Sequence, residues 1–199
     1  MLELELAARW SRHRTVTTGS DPSACVAPNR LDRDFAATHP NEKWTGDITA
    51  IWTYEGWLSL AAVLDLFSPR VGRWALAASA DETLVEMAWR MALRKLRPQA
   101  GLLHHTDLGC QYTSHAYQAL LADVGITVSI SRKGNCWDNS AMESFFGPLK
   151  SECVDLTFFQ TRASAKQTVL EDVECFSNRV RRHSSLEDVS PVAFEQLNS

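Results

Sequence analysis

Four acidic residues stand where acidic side chains are uncommon. Asp47 falls inside a short apolar run, directly after Gly46, and Asp is depleted in β-strands. Asp65 and Asp107 each end an apolar run, and Glu143 stands in the first turn of a segment with helical character. Charged side chains are rarely buried without a partner, so each of these carboxylates requires either a structural partner or a function.

Three of these acids would together form a site for a hard divalent cation. Asp47, Asp107 and Glu143 supply oxygen ligands without His or Cys, which suits Mg²⁺ or Mn²⁺ completed by water and substrate phosphates. Two such ions about 3.5–4 Å apart can activate an attacking oxygen and stabilise a leaving oxygen at a phosphodiester. Gly46 would leave room for a ligand to approach the backbone beside Asp47.

Three of the four acids also have a structural explanation that the sequence leaves open. Asp65 is expected to accept hydrogen bonds from turn N–H groups, and Asp107 could do the same. Ser140 and Glu143 have the spacing of a capping box, in which the Glu side chain returns to the backbone N–H of the capping residue. Glu143 could therefore serve a helix end instead of a metal ion.

Neither a zinc site nor a disulfide framework is predicted. His104 and His105 are adjacent in a strand, so their side chains point to opposite faces and do not easily share one ion. The five cysteines are scattered, odd in number and without a C-x-x-C pair. This cysteine usage fits a reducing compartment, and we expect the protein to be cytoplasmic.

The bulk properties are those of a globular protein without a membrane segment. The 199 residues suit one domain with appendages, and 45% hydrophobic with 22% charged residues is ordinary. No apolar run reaches 18 residues, and the N-terminus has the wrong charge order for a secretory signal. A net charge of -4 argues against a nucleic-acid partner, although residues 89–97 and 178–183 are locally basic. Each basic cluster fits a phosphate contact or a solvated helix face equally well.

The apolar patterning predicts the element order β-β-β-α-β-α-β-α-α. Three short runs within 44–77, divided by turn residues, predict an antiparallel meander. Helical spacing over 82–97, a Ser cap and a terminal Gly around 114–125, and a last segment over 162–182 predict helices. Strands that alternate with helices after a meander indicate a mixed sheet with helices on both faces.

Thirty-five residues separate Asp107 from Glu143, and four segments around the acids strengthen the pattern. This spacing and context resemble the D, D-35-E catalytic core shared by insertion-sequence transposases and retroviral-type integrases, with the transposases the nearer match. The resemblance runs from about residue 26 to 196. The segments that carry it, in order, are NEKWTGDITAIWTYEGWLSLAAVLDLFSPRVGRWAL, GLLHHTDLGCQYTSHAY, ISRKGNCWDNSAMESFFGPLK and FSNRVRRHSSLEDVSPVAFE.

The resemblance implies an α/β fold of the RNase H-like type, with a mixed five-stranded sheet whose first three strands are antiparallel. It divides the chain into an N-terminal arm at 1–40, a catalytic core at 41–157, and a C-terminal helix and tail at 158–199. Full-length relatives carry a helix-turn-helix segment before the core. Too few residues precede Trp44 for that segment, so we expect a truncated chain or one that uses a separate helix-turn-helix subunit.

The resemblance also implies a metal-dependent polynucleotidyl transferase that cuts DNA at element ends and joins the freed 3′-hydroxyls to target DNA. It assigns Asp47, Asp107 and Glu143 as catalytic residues and as ligands of Mg²⁺ or Mn²⁺, with two ions. The expected partners are element-end and target DNA, with a homo-oligomer formed on DNA and nucleoid association when bound. Two alternatives remain: a remnant that binds DNA or other transposase subunits without turnover, and an RNase H-like nuclease that does not join DNA.

Nine further residues are predicted to contact DNA. Lys150 lies two helical turns after Glu143 on the same face, so its amine could reach a phosphate near the site. Trp137 could stack on an unpaired base, or it could anchor its loop in the core. Four others lie in the loop before Glu143: Arg132, Lys133, Asn135 and Asn139. The last three lie in the C-terminal motif and could instead brace the last helix: Arg179, Arg182 and His183.

Four positions depart from the family pattern. Leu108, Cys110 and Ser177 are unusual at their places. Pro148 falls eight residues into a helix that starts near Ser140, where a proline removes a backbone hydrogen bond and costs about 3 kcal/mol unless the helix kinks. We therefore expect a kink near residues 144–148.

Overall fold

The structure is a computed structural model and describes residues 26–198. Its five strands form one sheet in the order β3-β2-β1-β4-β5. β1 pairs antiparallel with β2 and parallel with β4, β2 pairs antiparallel with β3, and β4 pairs parallel with β5. The predicted mixed five-stranded sheet, with its first three strands antiparallel, is confirmed. The strands are β1 Lys43–Thr53, β2 Gly56–Asp65, β3 Arg70–Ala77, β4 Leu103–Thr106 and β5 Thr127–Ile130.

Helices cover both faces of this sheet, and within residues 26–198 none is long and apolar enough to cross a membrane. Shorter helical turns of other types lie between them, and two π-helical segments extend α4 and α5. The α-helices are α1 Glu82–Leu96, α2 Cys110–Thr113, α3 His115–Asp123, α4 Ser140–Pro148, α5 Arg162–Glu171 and α6 Pro191–Leu197. The other helical segments are Cys136–Asn139 and Ser184–Leu186 (3-10) and Leu149–Val154 and Asp172–Ser177 (π).

The alternation of side chains along β1 divides the core into two layers. Trp44 faces α1, where its ring meets that of Trp89 with centroids 5.2 Å apart. Ile51 faces the opposite side and packs in the layer that holds Met142 of α4. Asp47 is an even number of residues from Ile51, so the pleat directs it to the α4 side of the sheet.

Local sequence signals set several helix boundaries. The Asp81 side chain accepts a hydrogen bond from the Leu84 N–H at the start of α1. The Ser114 side chain caps α3 in the same way, by accepting from the Tyr117 N–H, and the chain leaves α3 through Gly125 at φ +69°. A positive φ is accessible to glycine without strain, so this end of α3 lies where the sequence predicted it.

Pro148 ends α4 without ending the helical path. The chain continues directly into the π-helical segment Leu149–Val154, and the Leu149 N–H donates to the Phe145 and Phe146 carbonyls. The hydrogen-bonding register changes just after the proline, and the kink expected near residues 144–148 stays a prediction. Segments of π-helix are a known way to absorb such an irregularity. The last predicted helix changes register similarly, since α5 gives way to Asp172–Ser177.

The segment before the sheet packs against the core from residue 29 onward. Leu31 is only 2% exposed and lies in the same layer as Ile51. The backbone N–H groups of Arg30 and Leu31 donate to the Ser129 hydroxyl of β5, at 2.8 and 3.0 Å. Most of the predicted arm, residues 1–25, lies outside the described residues, and the division at 40 and 157 stays a prediction.

The space beside Gly46 is filled by His104, which corrects the expectation that this glycine makes room for a ligand. A Cβ at this position would lie 3.1 Å from His104 Cε1 and 3.5 Å from the Ala62 carbonyl oxygen. Adjacent strand residues point to opposite faces, so this crowded side is the one away from Asp47. The glycine lets the buried His104 ring lie against β1.

Gly46→Ala is expected to lower the free energy of unfolding by about 1–3 kcal/mol, because the added methyl overpacks a rigid contact. Urea unfolding followed by circular dichroism measures this change. Gly147→Ala is the matched control, since a Cβ at Gly147 meets nothing within 4 Å. A loss for Gly46→Ala no larger than that of the control would contradict the packing explanation.

Candidate active site

The fold brings the three predicted catalytic acids to one region of the sheet. Asp47 lies within β1, and Asp107 directly follows β4, its parallel neighbour. Gly46 pairs with Thr106, so Asp47 and Asp107 occupy corresponding positions one residue further along adjacent strands. Glu143 lies in the first turn of α4, which packs on β1.

Hydrogen bonds hold both aspartates in place. One oxygen of Asp47 (Oδ1) accepts from the Ile48 N–H at 2.7 Å, and the other (Oδ2) accepts from the Asn139 side-chain amide at 2.9 Å. Asp107 Oδ1 accepts from the Gly109 N–H at 3.0 Å. The Asp107 bond is the turn role that the sequence left open, and the bond leaves the second carboxylate oxygen available.

Burial and mutual repulsion make these carboxylates hard to ionise without a cation. Burial raises the pKa of Asp47 to about 7, with further increases from the negative charges of Asp107 and Glu143, while the bonds from Ile48 and Asn139 oppose the rise. Burial also raises the pKa of Asp107, against the bond from the Gly109 N–H. Close like charges in a low-dielectric site are the condition that a bound divalent cation relieves.

The chemistry of these residues fits Mg²⁺ or Mn²⁺. The side chains of Asp47, Asp107 and Glu143 offer carboxylate oxygens, which are hard ligands. Within residues 26–198, no three His, Cys, Asp or Glu side chains are already close enough to hold an ion. Glu143 is exposed on α4, near enough to raise the pKa of Asp47 but turned toward solvent.

The metal-free chain is expected to lose stability as the pH rises from about 4 to about 7. Asp47 has a pKa of about 7 when folded and about 3.9 when unfolded. Over this interval the unfolded chain binds fewer protons than the folded chain, so the free energy of unfolding falls with pH. Urea unfolding in EDTA across this range measures the slope, which Asp47→Asn should reduce; an unchanged slope in that variant would contradict the assignment.

The capping-box explanation of Glu143 is wrong. Asn139 is the residue that caps α4, its side chain makes no capping bond, and a 3-10 turn at Cys136–Asn139 runs directly into the helix. The first N–H groups of α4 therefore follow an existing turn and need no return bond from Glu143. Its carboxylate remains exposed and available to the site.

The structural explanation of Asp65 is confirmed. Its carboxylate accepts from the backbone N–H groups of Asn41 at 2.8 Å and Phe67 at 3.0 Å, and from the Trp44 indole at 3.3 Å. These donors satisfy both oxygens at the end of β2. Asp65 is therefore a turn residue and lies outside the candidate site.

The two histidines before Asp107 occupy opposite faces, as predicted. The His104 ring lies near Trp89, with centroids 4.2 Å apart, and its Nε2 is 2.8 Å from the Tyr117 hydroxyl. His105 lies on the other face, between the hydroxyls of Ser129 and Ser131 at 2.8 and 2.9 Å. Burial lowers the pKa of His104 to about 3 and that of His105 to about 4, so both rings are neutral at physiological pH.

The residues of the loop before α4 that are predicted to contact DNA differ in their exposure and in their hydrogen bonds within the protein. Trp137 is 68% exposed, so the alternative that it anchors the loop in the core is wrong. Lys133 is exposed and Asn135 is half-buried. Arg132 is half-exposed but bonds to Asp138, and Asn139 is buried with its amide on Asp47.

The remaining predicted DNA contacts lie after α4. Lys150 is half-buried in the π-helical segment that extends α4. The Arg179 guanidinium donates to the Glu174 backbone carbonyl at 3.1 Å. This contact fits the alternative that Arg179 braces the last predicted helix. Arg182 is exposed, and half-buried His183 lines a cavity of about 580 Å³ whose lining does not include Glu143.

Sequence reasoning missed Asp138, the best-bonded acid near the site. Its side chain is 0% exposed and accepts from Arg132 (backbone N–H and guanidinium), the Arg33 guanidinium and the Asn29 amide, at 2.8 to 3.1 Å. The bonds from Arg132 hold its pKa far below the usual range, and the bond from Arg33 adds to the effect. Two of its partners lie more than 100 residues away in sequence, so no local pattern reveals the cluster.

Comparisons with known proteins place this geometry in a family. Two family models described as integrase core domain match residues 37–136 and 143–198. The insertion element IS600 uncharacterized 31 kDa protein of Shigella sonnei is 43% identical over 98% of this chain and 71% of its own length. The transposase for insertion sequence element IS904 of Lactococcus lactis is 41% identical over 98% of this chain and 77% of its own length. The transposase InsF for IS3A of Escherichia coli is 43% identical over 87% of this chain, which spans 60% of that relative.

Solved structures share the fold at lower identity. A chain of the simian T-cell lymphotropic virus intasome, in complex with PP2A regulatory subunit B56 gamma, has a TM-score of 0.65 and 17% identity, covering 88% of this chain and 60% of its own. The HTLV-2 integrase catalytic core domain in complex with magnesium has a TM-score of 0.59 and 17% identity, covering 80% of this chain and 99% of its own. The sheet order and these likenesses establish an RNase H-like fold. With the integrase core models and the relatives above 40% identity, they show that the chain belongs to the insertion-sequence transposases with an integrase-type catalytic core.

Proposed function

We propose that this chain cleaves DNA at the ends of a mobile element and joins the freed 3′-hydroxyls to target DNA, in a reaction that depends on Mg²⁺ or Mn²⁺. The observation that carries the proposal is the placement of Asp47 and Asp107 side by side on adjacent parallel strands, where burial and repulsion raise the pKa of Asp47. Such a pair favours a divalent cation over two bare charges. Family membership supplies the class of substrate.

The chain's own residues orient this chemistry. When bound, two divalent ions would neutralise charge on the scissile phosphate and make water or a 3′-hydroxyl a better nucleophile. Asp47 and Asp107 would hold them, with their oxygens aimed by the donors from Ile48, Asn139 and Gly109. Glu143 would turn inward from the exposed side of α4 as the third ligand. No covalent protein intermediate is required.

DNA would approach the site along the loop and helix that carry Glu143. Lys133 and Lys150 stand before and after α4 and would contact phosphates. The exposed Trp137 ring would stack on an unpaired base. Arg132, Asn135, Arg179, Arg182 and His183 remain predicted contacts. Assembly as a homo-oligomer on DNA, and a separate helix-turn-helix subunit for end recognition, belong to the same proposal.

A joining assay tests the function. The wild-type chain is incubated with Mn²⁺, a supercoiled plasmid and pre-cut 3′-hydroxyl duplexes copied from the inverted repeats that flank its gene. We expect covalent joining of the duplexes to the plasmid, and none with Asp107→Asn. Nicked plasmid without joined product would favour the nuclease alternative, and a folded wild-type chain that neither cuts nor joins would favour the remnant.

Trp137→Ala is expected to weaken binding to single-stranded oligonucleotides by about 1–3 kcal/mol, the range for one stacked base. Because the ring is exposed, the free energy of unfolding should change by less than about 0.5 kcal/mol. Fluorescence anisotropy of a labelled oligonucleotide measures the affinity. Trp52→Ala is the control, since Trp52 is 56% exposed near the end of β1 and is assigned no contact with DNA; equal losses in both variants would contradict the stacking role.

A further inference from the structure

The hydrogen bonds around Asp47 point to a role for the residue pair just before α4. We propose that Asn139 is a positioning residue for Asp47, and that the segment 29–33 holds Asn139 in place by clamping its neighbour Asp138. The inference rests on the proposed function, in which Asp47 is a metal ligand. It gives the segment before the sheet a part in the catalytic site.

Asn139 is oriented so that its amide N–H₂ faces Asp47. Its Nδ2 donates to Asp47 Oδ2 at 2.9 Å, and its Oδ1 accepts from the Thr45 hydroxyl at 3.4 Å. Thr45 is two residues before Asp47 on β1, so both contacts lie on one face of the strand. An ionised carboxylate can only accept hydrogen bonds, so the amide N–H₂ faces Asp47 and the amide oxygen is left to accept from the Thr45 hydroxyl.

The two donors on Asp47 restrain its carboxylate without using it up. Oδ1 receives the Ile48 N–H and Oδ2 receives Asn139, which together restrict rotation of the carboxylate plane. A carboxylate has about four acceptor positions, so lone pairs remain on both oxygens for a cation. Donors that orient a ligating side chain in this way typically change metal affinity by about 10–100-fold.

Asp138 fixes the backbone that carries Asn139. The two residues are consecutive in the 3-10 turn Cys136–Asn139. Arg132 binds Asp138 from within the loop, while Arg33 and Asn29 bind it from the segment before the sheet, each at 2.9 Å. The cluster therefore joins two parts of the chain more than 100 residues apart.

The segment 29–33 is itself anchored to the sheet. Arg30 and Leu31 donate their backbone N–H groups to Ser129 of β5, and the same hydroxyl contacts His105 of β4. The clamp on Asp138 is therefore connected through Ser129 of β5 to β4, the strand that directly precedes Asp107. The positions of Asp47 and Asp107 are linked through this path as well as through strand pairing.

A direct contact between Asn139 and DNA fits the structure less well. Asn139 is 8% exposed, and both ends of its amide are bonded within the protein. A DNA contact would require it to release Asp47. The two roles predict different kinetics, since a positioning residue affects turnover and a DNA contact affects the KM for DNA.

The test is calorimetric titration of Mn²⁺ into the full chain. Asn139→Leu, which keeps the side-chain volume without a donor, should bind Mn²⁺ about 10–100-fold more weakly than wild type. Asn139→Gln, which keeps an amide donor, should recover part of the loss. Cys136→Ala is the control for the loop, because Cys136 begins the same 3-10 turn and is assigned no contact with metal or DNA.

The clamp is tested on exposed arginines of the same segment. Arg33→Ala removes a partner of Asp138 and should weaken Mn²⁺ binding about threefold, a smaller effect than that of a direct outer-shell donor. Arg30→Ala removes the same charge three residues away, where the guanidinium has no hydrogen bond or ion pair within residues 26–198. We expect Arg30→Ala to bind Mn²⁺ as wild type does. Equal affinities for the two variants would overturn the clamp.

Three outcomes separate this inference from the proposed function. Weaker Mn²⁺ binding and lower kcat at an unchanged KM for DNA in Asn139→Leu, with recovery in Asn139→Gln, support positioning. Wild-type affinity in Asn139→Leu, or a raised KM at an unchanged kcat, overturns it while leaving the proposed function standing. A wild-type chain that binds no Mn²⁺ contradicts the proposed function itself.

Discussion

Asp107→Asn is expected to lower DNA cleavage and joining by about 10³-fold or more and to leave the fold intact. A divalent ion contributes several kcal/mol of charge stabilisation in the transition state, and losing about 4 kcal/mol corresponds to a thousandfold fall in rate. The amide keeps the size of the carboxylate and can still accept from the Gly109 N–H. The loss is therefore chemical, with little change in packing.

The same substitution is expected to raise the stability of the metal-free chain. Burial contributes most to the raised pKa of Asp47 and the charge of Asp107 contributes next, so removing that charge relieves repulsion between two half-buried carboxylates. Thermal unfolding in EDTA and in Mn²⁺ measures both effects. Wild type should be stabilised by Mn²⁺ and Asp107→Asn should not; Asp123→Asn, an exposed acid at the end of α3, should behave as wild type. Equal stabilisation of Asp107→Asn by Mn²⁺ would contradict the assignment.

Asp138→Ala is expected to lower the free energy of unfolding by about 3 kcal/mol, toward the lower end of the range for breaking a buried charge pair. The lower end applies because Arg132 and Arg33 are each about half exposed and can be solvated once Asp138 is gone. The loss also frees the segment 29–33 from the loop before α4. Equilibrium unfolding in urea measures it.

The pH dependence of stability tests whether the charge of Asp138 causes the loss of unfolding free energy in Asp138→Ala. Its folded pKa is depressed, so its contribution to stability is present above the unfolded pKa of about 3.9 and is lost as the pH falls below that value. The difference in stability between wild type and Asp138→Ala should therefore be full at pH 6 and shrink below about pH 4. Asp123→Ala is the exposed control and should change stability by less than about 0.5 kcal/mol. A loss below about 1 kcal/mol for Asp138→Ala would contradict a structural clamp.

Much of the fold could be predicted because its signals are local. Short apolar runs divided by turn residues predict the antiparallel meander of β1 to β3. The capping side chains of Asp81 and Ser114 lie directly before the helices that they start. An Asp in the middle of an apolar strand conflicts with strand propensity, and such conflicts concentrate at functional sites. Asp47 is a candidate site residue for that reason.

The rest depends on contacts between distant parts of the chain. In the sequence, Asp138 looks like an ordinary acidic residue of a loop. In the fold, it accepts hydrogen bonds from Arg33 and Asn29, which are more than 100 residues away in the chain. Gly46 has a packing reason that depends on the ring of His104 in the neighbouring strand. The change to π-helical hydrogen bonding after Pro148 has no periodicity signal of its own, since a π-turn alters the pattern by a single residue.

Glu143 provides the most direct test of the metal site, because it is the one member of the triad that faces solvent. Mn²⁺ is titrated calorimetrically into wild type, Glu143→Gln and the control Asp123→Asn. If Asp47, Asp107 and Glu143 act as one site, Glu143→Gln should bind Mn²⁺ at least about tenfold more weakly than wild type, and the control should bind equally well. Equal binding by wild type and Glu143→Gln would contradict a three-carboxylate metal site in this protein.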